Sequence, residues 1–116
     1  MALSWKKIAE LALDSLSTEE RESSIVYLDE QVLTEGSTVQ IGEKEVTVPW
    51  PAVVVFVDLQ PGLNWGHACR YLLVNASTGE LRSFSSELPP FLRRPSETLR
   101  VIWKADSVPQ WAVVQS

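Results

Sequence analysis

Residues 52–59 read Ala-Val-Val-Val-Phe-Val-Asp-Leu. Val53, Val54, Val55, Phe56 and Val57 follow one another without a polar break. β-Branched and aromatic side chains suit a pleated backbone. In an extended chain successive side chains point to opposite faces, so this stretch is apolar on both. A strand of that kind needs cover on both faces, which predicts that 52–59 is the central strand of a sheet. One helix is expected over one face, and a sheet edge or the C-terminal segment over the other. The uncharged apolar run Ala52 to Val57 is far too short to span a bilayer.

Upstream, Pro49-Trp50-Pro51 fixes two φ angles and removes two backbone donors, predicting an extended corner that presents Trp50. Before it, Thr38–Ile41 and Lys44–Val48 flank Gly42-Glu43, a two-residue hairpin signal. Val39, Ile41, Val46 and Val48 form one face of that hairpin; Thr38, Gln40, Glu45 and Thr47 form the other. Ser24 to Leu33 reads as an earlier strand. The N-terminus is helical: Ser4 is an N-cap, and Trp5, Ile8, Ala12 and Leu16 recur at helical spacing. Ser17 and Glu20 have capping-box spacing and start a second short turn.

Downstream, Gln60 to Gly66 reads as a loop and Ala68 to Val74 as a strand. Residues 75–79, Asn-Ala-Ser-Thr-Gly, make a hairpin loop that returns through Glu80 to Phe84. Pro89-Pro90 interrupts regular structure. Thr98 to Lys104 is a further strand, and Trp111 to Val114 reads as an edge strand. Helices followed by a run of strands, with no helix between strands, predict an α+β fold. The expectation is one domain over 1–116, helical in 4–22 and sheet in 24–115. One or two N-terminal helices pack on a mainly antiparallel sheet of about six strands built from hairpins. The turn from Val74 to Leu81 resembles the hairpin of peptidase-propeptide-type PepSY domains. The helix-then-meander order resembles small bacterial immunity-type and inhibitor domains. Each resemblance covers under a third of the chain and rests on a common hairpin, and neither transfers a functional residue.

The 116 residues are 45% hydrophobic and 22% charged, the balance of a folded domain rather than a disordered chain. The net charge of −5 is unevenly spread. Residues 1–58 hold 11 acids and 4 bases, a net of −7; residues 59–116 hold 4 acids and 6 bases, a net of +2. An acidic half steers a basic partner and repels nucleic acid. A single Cys excludes an internal disulfide and a Cys₄ or Cys₂His₂ zinc site within one chain. The first residues lack the apolar core of a signal peptide, so a soluble, cytoplasmic protein is expected.

No GxGxxG, GxxxxGK[ST], HExxH or GxSxG motif is present. Arg70, Arg82, Arg93, Arg94 and Arg100 with Phe84 or Phe91 have the residue types of a single-strand nucleic-acid face, but the acidity of the chain opposes that reading. The only His and the only Cys, His67 and Cys69, lie two residues apart at the start of a strand. A thiolate nucleophile needs a contacting base and an orienting group, here His67 with Asp58 or Asn64. Residues i and i+2 of a strand share a face, yet their Cα atoms are roughly 7 Å apart. A small buried Cys69 and a hydrogen-bonding His67 satisfy the same pattern without catalysis. His67, Asp58 and Cys69 also fall short of a convergent metal-ligand set, so no metal and no cofactor are expected.

The tryptophans are more informative. Trp50 between prolines and Trp65 in a Gly-bounded loop resist assignment to a core, and Trp is enriched at binding hot spots. Trp5 and Trp103 fit a helix–sheet core, and Trp111 fits either role. The leading expectation is a non-enzymatic module that docks on another protein with a basic surface. Trp50 and Trp65 are its anchors; Glu43, Glu45, Asp29 and Glu30 are among its steering acids. Two alternatives stand beside it: a thiol-dependent enzyme using Cys69 and His67, and a small-ligand-binding domain with a pocket between helix and sheet. The oligomeric state is left open.

Overall fold

A computed structural model describes residues 2–61, 68–87 and 98–113. The element order is α1 (Trp5–Asp14), α2 (Thr18–Ser23), β1 (Ile25–Asp29), β2 (Thr38–Ile41), β3 (Lys44–Thr47), β4 (Ala52–Asp58), β5 (Cys69–Asn75), β6 (Leu81–Ser86) and β7 (Leu99–Lys104). The fold is α+β. Five strands form an antiparallel sheet in the order β6-β5-β4-β1-β7, and β2-β3 stands apart as a two-stranded hairpin. β4 therefore holds the centre, as its two-sided apolar sequence requires.

The helices form where local chemistry directs them. Ser4 Oγ accepts the Lys7 N–H at 3.1 Å and caps α1. Ser17 and Glu20 exchange side-chain and backbone hydrogen bonds at 3.1 and 2.9 Å, a complete capping box for α2. α1 buries Ile8 and Ala12, and Leu16 follows them. They meet Val26, Leu28, Val53, Val55, Val57, Leu72 and Val74 in a wholly aliphatic layer. α2 buries nothing, so polar contacts must hold it. Arg70 on β5 donates to Glu20 at 2.5 Å, and Trp103 Nε1 on β7 donates to the Arg21 carbonyl at 2.7 Å.

The opposite face has different chemistry. The register aligns Tyr27, Phe56, Tyr71 and Phe84 in one row across β1, β4, β5 and β6. Ring centroids are 5.9 Å apart for Tyr27–Phe56 and 5.2 Å for Phe56–Tyr71, offset contacts that add to area burial. The β2–β3 hairpin covers this row with Val39, Ile41 and Val46, and the C-terminal segment adds Ala105, Val108, Ala112 and Val113. The hairpin is the cover that the sequence reading left out; the C-terminal segment is one that it named.

Four expectations change. Residues 110–112 form a 3₁₀ turn after Pro109, not part of an edge strand, because the chain arrives there as cover for the sheet face, packing Ala112 and Val113 on it. β1 ends at Asp29, and Leu33 makes only an isolated bridge to Ala52. Trp5 and Trp103 remain 38% and 37% exposed, so neither is a core ring. Trp103 lies on the outermost strand, where a ring has a neighbour on one side only. No helix among the described residues is long and apolar enough to cross a membrane.

Candidate functional site

The β4–β5 register sets Asp58 directly opposite Cys69, and both are buried. Asp58 Oδ1 accepts the Gln60 N–H at 3.2 Å, an Asx turn that starts the loop. Cys69 Sγ donates to the Ser86 carbonyl at 3.3 Å. Burial pushes the thiol up from 9.0 to about 11; a Ser86 hydrogen bond opposes the rise, and the charges of Asp58 and Glu87 add to it. At neutral pH the nucleophilic thiolate is then only about one molecule in ten thousand. His67, Asn64 and Trp65 lie outside the described residues, and with them the expected contact between His67 and Asp58. Among the described residues no three His, Cys, Asp or Glu side chains converge as metal ligands.

Beside Cys69 on the same strand face stands Tyr71, fully buried. Burial pushes its hydroxyl well above the usual tyrosine range; the charge of a Cys69 thiolate would add to this, and a hydrogen bond with the Gly42 backbone opposes it. Gly42 is the hairpin turn between β2 and β3, at φ +61°. A Cβ there would lie 2.1 Å from Ser86 Oγ, so only glycine lets the turn rest on the end of β6. Gly42, Tyr71, Cys69 and Ser86 thus bind hairpin, β5 and β6 together.

A cleft of about 450 Å³ opens at this junction. The Ile41–Lys44 turn supplies one wall, and the edge of β6 from Ser83 to Glu87 supplies the floor. The Asn75 N–H donates to the Glu80 carbonyl at 2.8 Å. Antiparallel alternation then makes 73–82, 71–84 and 69–86 the hydrogen-bonded pairs. The backbone N–H and C=O groups of Leu81, Ser83 and Ser85 point away from β5, and no described strand pairs with them.

The described residues among those singled out from sequence do not share one patch. Glu43 and Glu45 are exposed on the hairpin, with no ion-pair partner among the described residues. Asp29 accepts from Thr98 Oγ1, and Glu30 pairs with Arg100 at 2.9 Å. That pair sits at the β1–β7 side, three to four interstrand spacings or roughly 14–19 Å from β6. Trp50 is half-buried against Val48, Ala52 and Leu73. Its Nε1 donates to Glu80 at 3.2 Å, and the Arg82 guanidinium lies 5.6 Å from the ring centroid. Arg70, Arg82 and Arg100 each face an acid, namely Glu20, Glu80 and Glu30. A second cleft, of about 500 Å³, lies between α2 and the end of β7, lined by Arg21, Glu22, Trp103, Ala105, Asp106 and Ser107.

Sequence reasoning missed Ser83, Ser85 and the aromatic row, because all three depend on strand register. It left Trp111 open, and that ring is 75% exposed. No protein-family model, curated protein or solved structure matches the chain. The likeness to PepSY and immunity-type domains accordingly goes no further than a turn and an order of elements.

Proposed function

We propose that the chain is a non-catalytic, acidic protein-binding module that docks on a partner with a basic surface, as an inhibitor or immunity protein blocks what it covers. The observation that carries this reading is the β2–β3 hairpin. Glu43 and Glu45 stand exposed on it without a neutralising partner among the described residues. Unpaired acids of this kind raise the encounter rate with a basic surface and set orientation more than they add affinity. The protonated, buried Cys69 favours a binding role over a thiol-dependent one. Asp29 and Glu30, held by Thr98 and Arg100, steer less than the hairpin acids do.

The test is capture from the source cells by the full chain and by a Glu43→Lys/Glu45→Lys variant, followed by association kinetics with the captured protein at two salt concentrations. The expected result is a stoichiometric basic partner whose association slows by roughly tenfold in the variant and at higher salt. A partner indifferent to both charge reversal and salt, or no stoichiometric partner, overturns the reading.

A further inference from the structure

We infer that the outer edge of β6, which no described strand pairs with, is a strand-addition site that takes an extended, basic segment of the partner as one more strand of the sheet. This rests on the docking role above and names where the docking occurs. An open strand edge is a row of unpaired donors and acceptors whose natural complement is another extended backbone. Leu81, Ser83 and Ser85 supply that row. β6 runs six residues without a register shift, long enough to pair with about six residues of a partner strand, or roughly 20 Å.

The cleft makes this edge more than a bare edge. The Ile41–Lys44 turn stands alongside it, fixed by the contact of Gly42 with Ser86 and by the Gly42–Tyr71 hydrogen bond. Side chains of an added strand would alternate between two surroundings. On the helix side they meet Ser83 and Ser85, small residues that leave room. On the hairpin side they meet Phe84 and Ile41, which are apolar. Charge selects among extended segments. Among the described lining residues, Glu43 and Glu87 flank the cleft against Lys44, while Arg82 is drawn over Trp50. The site therefore favours Lys or Arg near its Ser86 end. A second copy of the chain is the poorer occupant. Antiparallel pairing of two β6 strands would carry Glu87 of one copy to the Glu80 end of the other, acid against acid.

The experiment begins with selection of phage-displayed random dodecapeptides on the immobilised full chain. The enriched peptide is then titrated into ¹⁵N-labelled protein. The expected peptide alternates apolar residues with Lys or Arg and shifts the amides of Ser83, Ser85 and residues 41–44. Ser83→Pro removes an outward N–H without breaking a β5–β6 hydrogen bond, and should weaken binding roughly tenfold or more. The same peptide methylated on alternate backbone nitrogens should fail on the unaltered protein, which keeps the test sound if Ser83→Pro folds poorly. Glu43→Gln with Glu87→Gln should weaken binding several-fold, less so at high salt. No enriched sequence, tight binding of the methylated peptide, or shifts confined to another surface overturns the inference. A solution dimer that Ser83→Pro dissociates overturns it too, by making a second copy the occupant. If a captured partner is lost on Glu43→Lys/Glu45→Lys but binds Ser83→Pro unchanged, docking stands and strand addition falls.

Discussion

β7 meets β1 through a register shift between Val26 and Tyr27, whereas β6 follows β5 in unbroken register from Cys69–Ser86 to Val74–Leu81. β7 also carries Arg100 and Lys104; β6 offers Ser83 and Ser85 between its larger residues. A bulge and charged side chains are the usual protections of an edge, since both spoil it as a template for another strand. The β7 edge has both; the β6 edge has no register shift, and its one charge, Arg82, lies over Trp50. Among the described residues, the side where Trp103 fastens α2 carries the bulge, and on the other side no strand pairs with the outer edge of β6.

The aromatic row runs from the β6 edge as far as β1, the strand that holds β7, so the largest effect should come from breaking that row at its middle. Phe56 is buried on the central strand between Tyr27 and Tyr71. Phe56→Ala leaves a cavity between Tyr27 and Tyr71 and should cost about 3–5 kcal/mol, read from urea unfolding. A loss under about 1 kcal/mol would show that the row does not carry this face of the sheet.

A smaller effect separates the edges. Gly42→Ala adds left-handed strain and drives a Cβ into Ser86, lifting the wall from β6. It should cost about 1–3 kcal/mol. Gly36 has a similar positive φ, +85°, but open space around its missing Cβ, so Gly36→Ala reports strain alone. The difference between the two variants measures the contact of the turn with β6. In hydrogen exchange, Gly42→Ala should deprotect β6 and leave β7 unchanged.

Much of this arrangement was legible in short stretches of sequence. The capping box of Ser17 and Glu20, the Gly42-Glu43 hairpin and the doubly apolar run at 52–57 are each decided by residues within a few positions of one another. Edge identity is not of that kind. It depends on β7 returning to pair with β1, and no local pattern encodes that choice. Tyr27, Phe56, Tyr71 and Phe84 look unrelated until register aligns them. Trp111-Ala-Val-Val has strand-forming composition, yet residues 110–112 turn, because what they cover is a sheet face and not a sheet edge. The proposed site was legible only in part for the same reason: Glu43 and Glu45 stand out by charge, whereas Ser83 and Ser85 carry no compositional signal.

Alkaline pH should loosen the β6 side by a route with no thiol counterpart in β7. The Cys69 thiol has a folded value near 11 against an ordinary 9.0. Between these values the folded protein holds a proton that the unfolded chain has released, so stability falls as pH climbs from about 9 to 11. Tyr71 is shifted in the same direction and steepens the loss above its own ordinary range. Urea midpoints at pH 8, 9, 10 and 11 should decline, and Cys69→Ala should flatten the lower part of that decline. An unchanged slope in Cys69→Ala would show that the thiol does not titrate beneath β6.

The smallest expected effect lies on the β7 side. Ser24 is fully buried where β1 begins, and its carbonyl accepts the Ala105 N–H at 3.0 Å. Its hydroxyl has no hydrogen-bond partner among the described residues. An unsatisfied buried hydroxyl is a cost to the folded state, and removing it leaves the backbone bond to Ala105 in place. Ser24→Ala removes only the hydroxyl oxygen, so the cavity term is small. The two effects nearly cancel or favour the variant, and the change should fall between neutral and about 1 kcal/mol more stable. A loss above about 1 kcal/mol would mean that the Ser24 hydroxyl does have a partner, and that the β7 side owes part of its closure to a polar contact at the entry to β1.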